Sequence, residues 1–360
     1  VANLSKYMVK RGHKITILTT DYKFDEAYAK ELEKEGVEIV LLKHIFYFNS
    51  LIYSPEMKKW LEYNIDNYDI IHLNTSRSYQ NNLVYKYSSK FNVPYVLQAH
   101  GSVQRIASLK KLKAFYDLLY GNKILCGANK LIALNEKELK DYASRNINYD
   151  KIQIIPNGVD LQKYNKLPEK GSFKKKYNIK KDTKIILYLG RLHESKGVDL
   201  ILKSYSKLIN ELENTILVMV GPDDGQKKRL DEYIERKNMQ KNVIFTDYIS
   251  ENEKKMALVD SYVLITPRFY GFPITFLESL ACGLPIITTN EGDDLGWIHN
   301  NVGYIADYDE NELKNAMSDL IIQSDVRSKF SEKAKLLVKE KLNWSQISQD
   351  LESLYITSLE

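Results

Sequence analysis

At 360 residues the chain is long for one domain and comfortable for two, each able to enclose its own core. Hydrophobic residues at 44% and charged residues at 28% are globular proportions, and no apolar run approaches bilayer-spanning length, which excludes a membrane-spanning helical protein. The net charge of +5 suits a phosphorylated substrate or an anionic membrane surface, whereas basic residues scattered among acids argue against nucleic acid. Cys126 and Cys282 stand in unrelated segments and match no metal spacing, which points to a reducing, cytoplasmic setting. Nothing at the start reads as a secretory signal.

The chain opens inside a helix over 1–10, which ends at Arg11-Gly12-His13 and runs into a strand over 14–20. An α/β domain ordinarily opens on a strand and a turn, so such a segment is expected ahead of Val1. Strands are predicted over 36–42, 69–73, 94–99, 130–134 and 151–155, with helices between them, which predicts a doubly wound parallel sheet. His100 directly follows the run over 94–99, in Gln98-Ala99-His100-Gly101-Ser102. At that position an imidazole can hydrogen-bond a substrate or shuttle a proton, or be a loop histidine with no task. The basic, amphipathic segment 108–119 suits a helix packed on the core with a solvated lysine face, and less well a membrane-surface helix. Asn157-Gly158 is expected to turn with positive φ. A lysine-rich polar stretch over 163–184 then marks a boundary, placing one domain at 1–165 and a second at 166–343.

The alternation restarts with a strand over 184–189, followed by Gly190-Arg191 and, five residues on, Lys196 at the start of a helix. These are either two solvated loop charges or a fork and a point charge able to grip both phosphates of a diphosphate. After the strand that ends at Val220, Pro222-Asp223-Asp224-Gly225 reads as a turn in preference to a metal site. The most informative stretch follows a buried strand over 262–266: Arg268-Phe269-Tyr270-Gly271-Phe272-Pro273-Ile274, then a helix carrying Glu278 that stops at Gly283 before a strand over 286–289. Backbone N–H groups of residues 270–274 and the positive helix end suit an anion, and Glu278 suits the hydroxyls of a ribose; an ordinary αβ crossover would look similar. A final helix over 344–358 carries apolar residues that need a surface to cover.

Taken in order, Arg11-Gly12-His13, Ile155-Pro156-Asn157-Gly158-Val159-Asp160, Gly190-Arg191-Leu192, Val220-Gly221-Pro222 and Phe276-Leu277-Glu278-Ser279-Leu280-Ala281-Cys282-Gly283-Leu284-Pro285 resemble glycosyltransferase family 4, of the group 1 type, over almost the whole chain. The resemblance implies a GT-B fold, two Rossmann-like domains facing across a cleft, with residues 344–360 crossing back to the N-terminal domain. It implies a retaining, metal-independent hexosyltransferase that uses a nucleotide-diphosphate sugar as donor substrate and no cofactor. Arg191 and Lys196 would bind the diphosphate, Glu278 the ribose, and Tyr270, Gly271, Phe272, Pro273 and Ile274 the phosphate and sugar. His100 would approach the transferred sugar. The acceptor would be a glycan or a lipid-linked sugar of a cell-surface polysaccharide, met in the cytoplasm or by peripheral contact with the inner membrane face. One departure stands out: the family's Glu-x7-Glu pair has Tyr270 at its first position and keeps only Glu278. Tyr270 and a shortened amino terminus favour the rival reading, a GT-B-shaped protein that binds sugar nucleotides or glycans without transfer. A nicotinamide dehydrogenase fits poorly, because no G-x-G-x-x-G follows a strand with an acidic ribose ligand behind it.

Overall fold

The computed structural model describes residues 1–48, 51–104, 109–293 and 295–359. They form two compact units, one of Val1–Asn157 with the C-terminal helix, the other of Gly158–Asn343.

The first unit runs α1 (Ala2–Lys10), β1 (Thr16–Thr20), α2 (Glu26–Lys34) and β2 (Glu38–Leu42), with β1 and β2 paired in parallel. Next comes an antiparallel hairpin, β3 (Phe46–Phe48) and β4 (Leu51–Tyr53), which three-residue strands leave without a readable period. Then follow α3 (Pro55–Asn64), β5 (Ile71–Asn74), α4 (Tyr79–Phe91), β6 (Tyr95–Gln98), α5 (Lys110–Tyr116), α6 (Asn122–Gly127), β7 (Lys130–Ala133), α7 (Glu136–Ala143) and β8 (Ile152–Ile154). Strands β5 to β8 form a parallel sheet in chain order. Every residue of β6 is buried, as an inner parallel strand covered on both faces requires. The helix Trp344–Leu359 lays Ile347, Leu351 and Leu354, spaced at helical period, against Val96, Ile132 and Ile155 of this unit.

The second unit holds α8 (Ser172–Lys176), β9 (Lys184–Leu189), α9 (Val198–Leu208), β10 (Thr215–Val220), α10 (Lys227–Arg236), β11 (Val243–Thr246), α11 (Glu251–Asp260), β12 (Ser261–Ile265), α12 (Ile274–Ala281), β13 (Ile286–Thr289), β14 (Gly303–Ala306), α13 (Glu310–Ile322) and α14 (Ser324–Glu340), before the C-terminal helix, α15. Its sheet is parallel throughout, in the order β11-β10-β9-β12-β13-β14. Chain order therefore reverses between β9 and β12, and such a switch point opens a crevice at the carboxyl ends of those two strands.

The units divide at 157/158, ahead of the sequence boundary at 165/166. The polar stretch beyond belongs to the second unit because its backbone is tied there. Asp260 accepts hydrogen bonds from the N–H groups of Phe173 at 2.8 Å and Lys174 at 3.0 Å, and Tyr164 is buried. Neither Asn157 nor Gly158 takes the positive φ expected of a turn. Just beyond them, Val159 bridges in parallel to Asn343 and donates its N–H to Leu342 O at 3.0 Å.

Candidate functional site

The loops after β9 and β12 flank the switch point. Gly190 donates its N–H to Val220 O at 2.9 Å and Leu192 donates to Pro222 O at 2.9 Å, so the two loops after β9 and β10 run side by side. They touch at Gly221, whose φ is +139° and where a Cβ would lie 2.1 Å from Gly190 O; only glycine fits. This presents Arg191 outward, its guanidinium paired with Asp224 and its side chain 60% exposed. Lys196 closes a 3₁₀ turn, Glu194–Lys196, that leads through Gly197 into α9. Half-buried, the Lys196 ammonium is held below its ordinary pKa, first by desolvation and then by the Arg191 charge. It makes no ion pair or hydrogen bond among the described residues. A cation kept partly out of water with no counter-ion is a place for an anion.

Across the switch point, Arg268 donates its N–H to Lys196 O at 3.3 Å, which joins the two loops. Phe269 is buried and packs edge-on against Phe276 of α12, with ring centroids 5.0 Å apart. Phe272 stacks on Trp297 at 5.7 Å. These anchors fix the Tyr270–Gly271 segment between them, with Tyr270 exposed. Pro273 occupies the N-cap of α12 and offers no side-chain hydrogen bond, so among the described residues the N-cap side chain leaves the helix's first turn open. One part of the expected amide cluster is occupied. Asp293, itself buried, accepts from the Gly271 N–H at 2.6 Å.

Glu278 is 8% exposed, and its Oε1 accepts from Lys254 Nζ at 2.7 Å. Burial pushes its carboxyl up and Lys254 draws it back down. Burial alone would lower Lys254, which Glu278 and Glu251 hold above its ordinary value. The Cys282 thiol, one turn on, is pushed up to about 12 by burial and then by Glu278, which leaves it a poor nucleophile.

His100 lies in the first unit at the end of β6, with φ +53°, followed by Gly101 at +77°. Its Nε2 lies 2.9 Å from Asn74 Oδ1, an acceptor, so Nε2 carries the proton and Nδ1 keeps the lone pair. The strained loop is held from several sides. Glu138, buried, accepts from the Gly101 N–H at 2.5 Å; the Ser76 N–H donates to Ser102 Oγ at 2.9 Å; Arg77 donates to Val103 O at 2.8 Å. Backbone strain so heavily supported is characteristic of sites.

The structure thus brings Arg191, Lys196, Gly271, Phe272, Pro273, Ile274 and Glu278 to the carboxyl-end side of one sheet and places His100 at the equivalent end of β6. Asp223 accepts from the N–H groups of Gly225, Gln226 and Lys227 and starts α10, as the turn reading requires. Sequence reasoning missed Asp293, Lys254, Asn74 and Glu138, because each acts on a partner distant in the chain. Arg268 it quoted without assigning a role. Its guanidinium lies 4.0 Å from the Tyr308 ring centroid and 3.6 Å from Glu291.

Comparison with known proteins agrees with this architecture. Residues 1–163 match the pattern of Glycosyltransferase Family 4, and residues 169–337 that of Glycosyl transferases group 1. An uncharacterised glycosyltransferase of Methanocaldococcus jannaschii is 24% identical over 99% of this chain and 93% of its own. A UDP-Gal:alpha-D-GlcNAc-diphosphoundecaprenol alpha-1,3-galactosyltransferase of Escherichia coli is 26% identical over 62% of this chain and 58% of its own. Among solved structures, Anabaena HepE in complex with UDP and glucose superposes with a TM-score of 0.80 at 16% identity, covering 99% of this chain and 94% of that one. Two parallel α/β units, a switch-point crevice with an unpaired lysine and family patterns spanning both units lead to one conclusion: the chain has the GT-B fold and belongs to the group 1, family 4 glycosyltransferases.

Proposed function

We propose that the chain is a retaining hexosyltransferase. It would move a sugar from a nucleotide-diphosphate donor to a hydroxyl of a glycan or lipid-linked acceptor in cell-surface polysaccharide synthesis, at the cytoplasmic membrane face. The observation that carries this is the unpaired, half-buried Lys196 joined through its carbonyl to the loop that opens into the uncapped end of α12. Arg191 and Lys196 take the diphosphate, Glu278 the ribose, and Tyr270 to Ile274 the phosphate and sugar. His100, with Nδ1 as acceptor, takes a sugar hydroxyl. Negative charge grows on the leaving phosphate as its bond to the anomeric carbon breaks, and these cations and amides stabilise it. The acceptor oxygen bonds to the same face, and its proton passes to the departing phosphate oxygen. The printed substrates of the E. coli galactosyltransferase, and UDP and glucose on HepE, favour a UDP-sugar and a diphospholipid acceptor as the first to try.

The test is thermal stabilisation by a panel of UDP-, GDP-, ADP- and TDP-sugars, followed by nucleoside diphosphate release with and without acceptor. A ligand at 100 times its dissociation constant adds about 2.7 kcal/mol. One nucleotide sugar should stabilise the protein, Arg191→Ala and Lys196→Ala should abolish the shift, and either change should slow transfer ~10²–10³-fold. Chelation by EDTA should leave the rate unchanged. Stabilisation by no nucleotide sugar would defeat this reading. A second reading, binding without transfer, is favoured by Tyr270 and by Asp293 on the Gly271 amide; turnover of the donor would exclude it.

A further inference from the structure

Asp21 and His44 follow the two paired strands that open the first unit. Asp21 extends the β1–β2 ladder by donating its N–H to Leu42 O at 3.0 Å, and it turns its carboxylate to the chain leaving β2. There its Oδ1 accepts from the His44 N–H at 2.8 Å and from the ring nitrogen Nδ1. These contacts, the ring one first, hold the Asp21 carboxyl below its ordinary range, so it stays ionised and Nδ1 carries the proton. In the neutral imidazole Nε2 then keeps its lone pair. Among the described residues no group meets either His44 Nε2 or Asp21 Oδ2.

Aromatic rings gather on this pair. Tyr22 packs edge-on against His44 with ring centroids 5.5 Å apart and lies 4.5 Å from Tyr47, whose ring is 6.3 Å from that of His44. Lys23 adds an ammonium 5.4 Å from the Tyr22 centroid. Tyr22 and His44 are half-buried, whereas Tyr47 of β3 is 54% exposed, so its ring meets solvent with two aromatic neighbours in support. The hairpin sets where the cluster stands. Ile45 donates its N–H to Tyr53 O at 3.0 Å and Ser54 Oγ donates to Lys43 O at 2.7 Å. Tyr53 in turn packs on Tyr79, with centroids 4.8 Å apart, and Gln80 Nε2 donates to Ile52 O at 3.3 Å. Tyr79 opens α4, and from its first turn Asn81 Nδ2 donates to Thr75 O at 2.9 Å. Thr75 adjoins Asn74, the partner of His100. Direct contacts therefore run from the carboxyl end of β2 to the loop that holds His100.

We propose that Asp21, Tyr22, His44 and Tyr47 bind the terminal pyranose of a glycan acceptor, with Tyr47 against its C–H face and His44 Nε2 and Asp21 Oδ2 accepting from its hydroxyls. A pyranose has an apolar face of C–H groups and a rim of hydroxyl donors. An exposed aromatic ring beside two fixed, open acceptors matches both. Closing the turn after β2 needs only the bond from the His44 N–H. It does not call for a second bond that orients the imidazole, nor for a tyrosine left in solvent beside it. As a sugar site the cluster stands on these contacts; as the acceptor's site it rests on the transfer reading above.

The experiment is saturation-transfer NMR of the full chain with the methyl α-glycosides of glucose, galactose, mannose and N-acetylglucosamine. At least one should receive saturation at its ring C–H protons, and UDP should not displace it. Tyr47→Ala should weaken that binding at least about 10-fold, whereas Tyr47→Phe, which keeps the ring, should stay within about two-fold of the wild type. His44→Phe keeps an aromatic ring but removes the acceptor, and Asp21→Asn removes the charge; each should weaken binding roughly 10-fold. The two Tyr47 variants should keep the wild-type melting point and any nucleotide-sugar stabilisation, because that ring is largely in solvent. Lys196→Ala should still bind the glycoside, so failure of the donor site and failure of this one are told apart. Should Asp21→Asn lose its fold, Tyr47→Ala and His44→Phe decide. Saturation of none of the four glycosides would overturn the proposal. So would displacement by UDP, or binding that Tyr47→Ala and His44→Phe leave unchanged.

Discussion

Tyr270, which stands at the first position of the family's Glu-x7-Glu pair, lies in the loop whose Gly271 amide Asp293 holds. Tyr270 is exposed beside Gly271, whose amide is bonded to the buried Asp293 carboxylate. Tyr270→Glu restores a carboxylate at the edge of the expected sugar site without touching Arg191 or Lys196. It should therefore change the stabilisation given by a nucleotide sugar relative to the bare nucleotide diphosphate, and leave the latter within about two-fold, since the phosphate contacts are elsewhere. Equal change in both would show that Tyr270 acts on the whole loop. The charge pattern of Arg191 and Lys196 was legible in the sequence because a cation after a strand and a cation before a helix are local features. Asp293 was not, because its importance comes from a hydrogen bond to a residue 22 positions earlier.

At the scale of elements, the segment 110–127 shows how a correct helix prediction can carry the wrong orientation. Helical spacing is a local property, but the inward face was chosen by Asp117 reaching Arg77 and Arg145, 40 and 28 residues away in the chain. A buried carboxylate bonded to two guanidinium groups outweighs the burial of a few leucines when only one face can go in, because an unpaired charge left inside is far costlier. Asp117→Ala should accordingly destabilise the protein by about 3–5 kcal/mol, since it leaves two part-buried arginines without their carboxylate. Denaturant unfolding measures this, and a loss under about 1 kcal/mol would mean the network is no more than a surface ion pair. The β3–β4 hairpin, β11 and β14 escaped notice for a different reason. Runs of three or four residues give a period-2 pattern too little length to show.

For the whole molecule, the C-terminal helix returning to the first unit carries a titratable group worth measuring. His72 in β5 is half-buried, with its Nε2 closed off from solvent and its Nδ1 2.6 Å from the Tyr355 hydroxyl of α15. Its pKa is pushed down to about 3, chiefly by burial, with His100 and the amino terminus adding to it. A histidine whose folded pKa is depressed binds its proton more readily when unfolded. Its contribution is complete above pH 6.5 and is lost as the pH falls from there towards about 3. The melting temperature should therefore drop between pH 7 and pH 5, by up to ~1.4 kcal/mol per pH unit in stability, and His72→Phe should flatten that slope. An unchanged slope in the variant would show that His72 does not carry it. The sequence by itself determined the alternation of strands and helices, the two-unit plan, the glycine-bearing turns and the candidate cations, because each follows from short-range spacing and backbone conformation. Only the tertiary structure decided that Lys196 stands unpaired among the described residues, that Asp293 holds the Gly271 amide, that Val159 bridges to Asn343 and that the helix at 110–120 turns its leucines outward. Each of these depends on which distant group reaches a buried charge or backbone N–H first, and that is settled by packing.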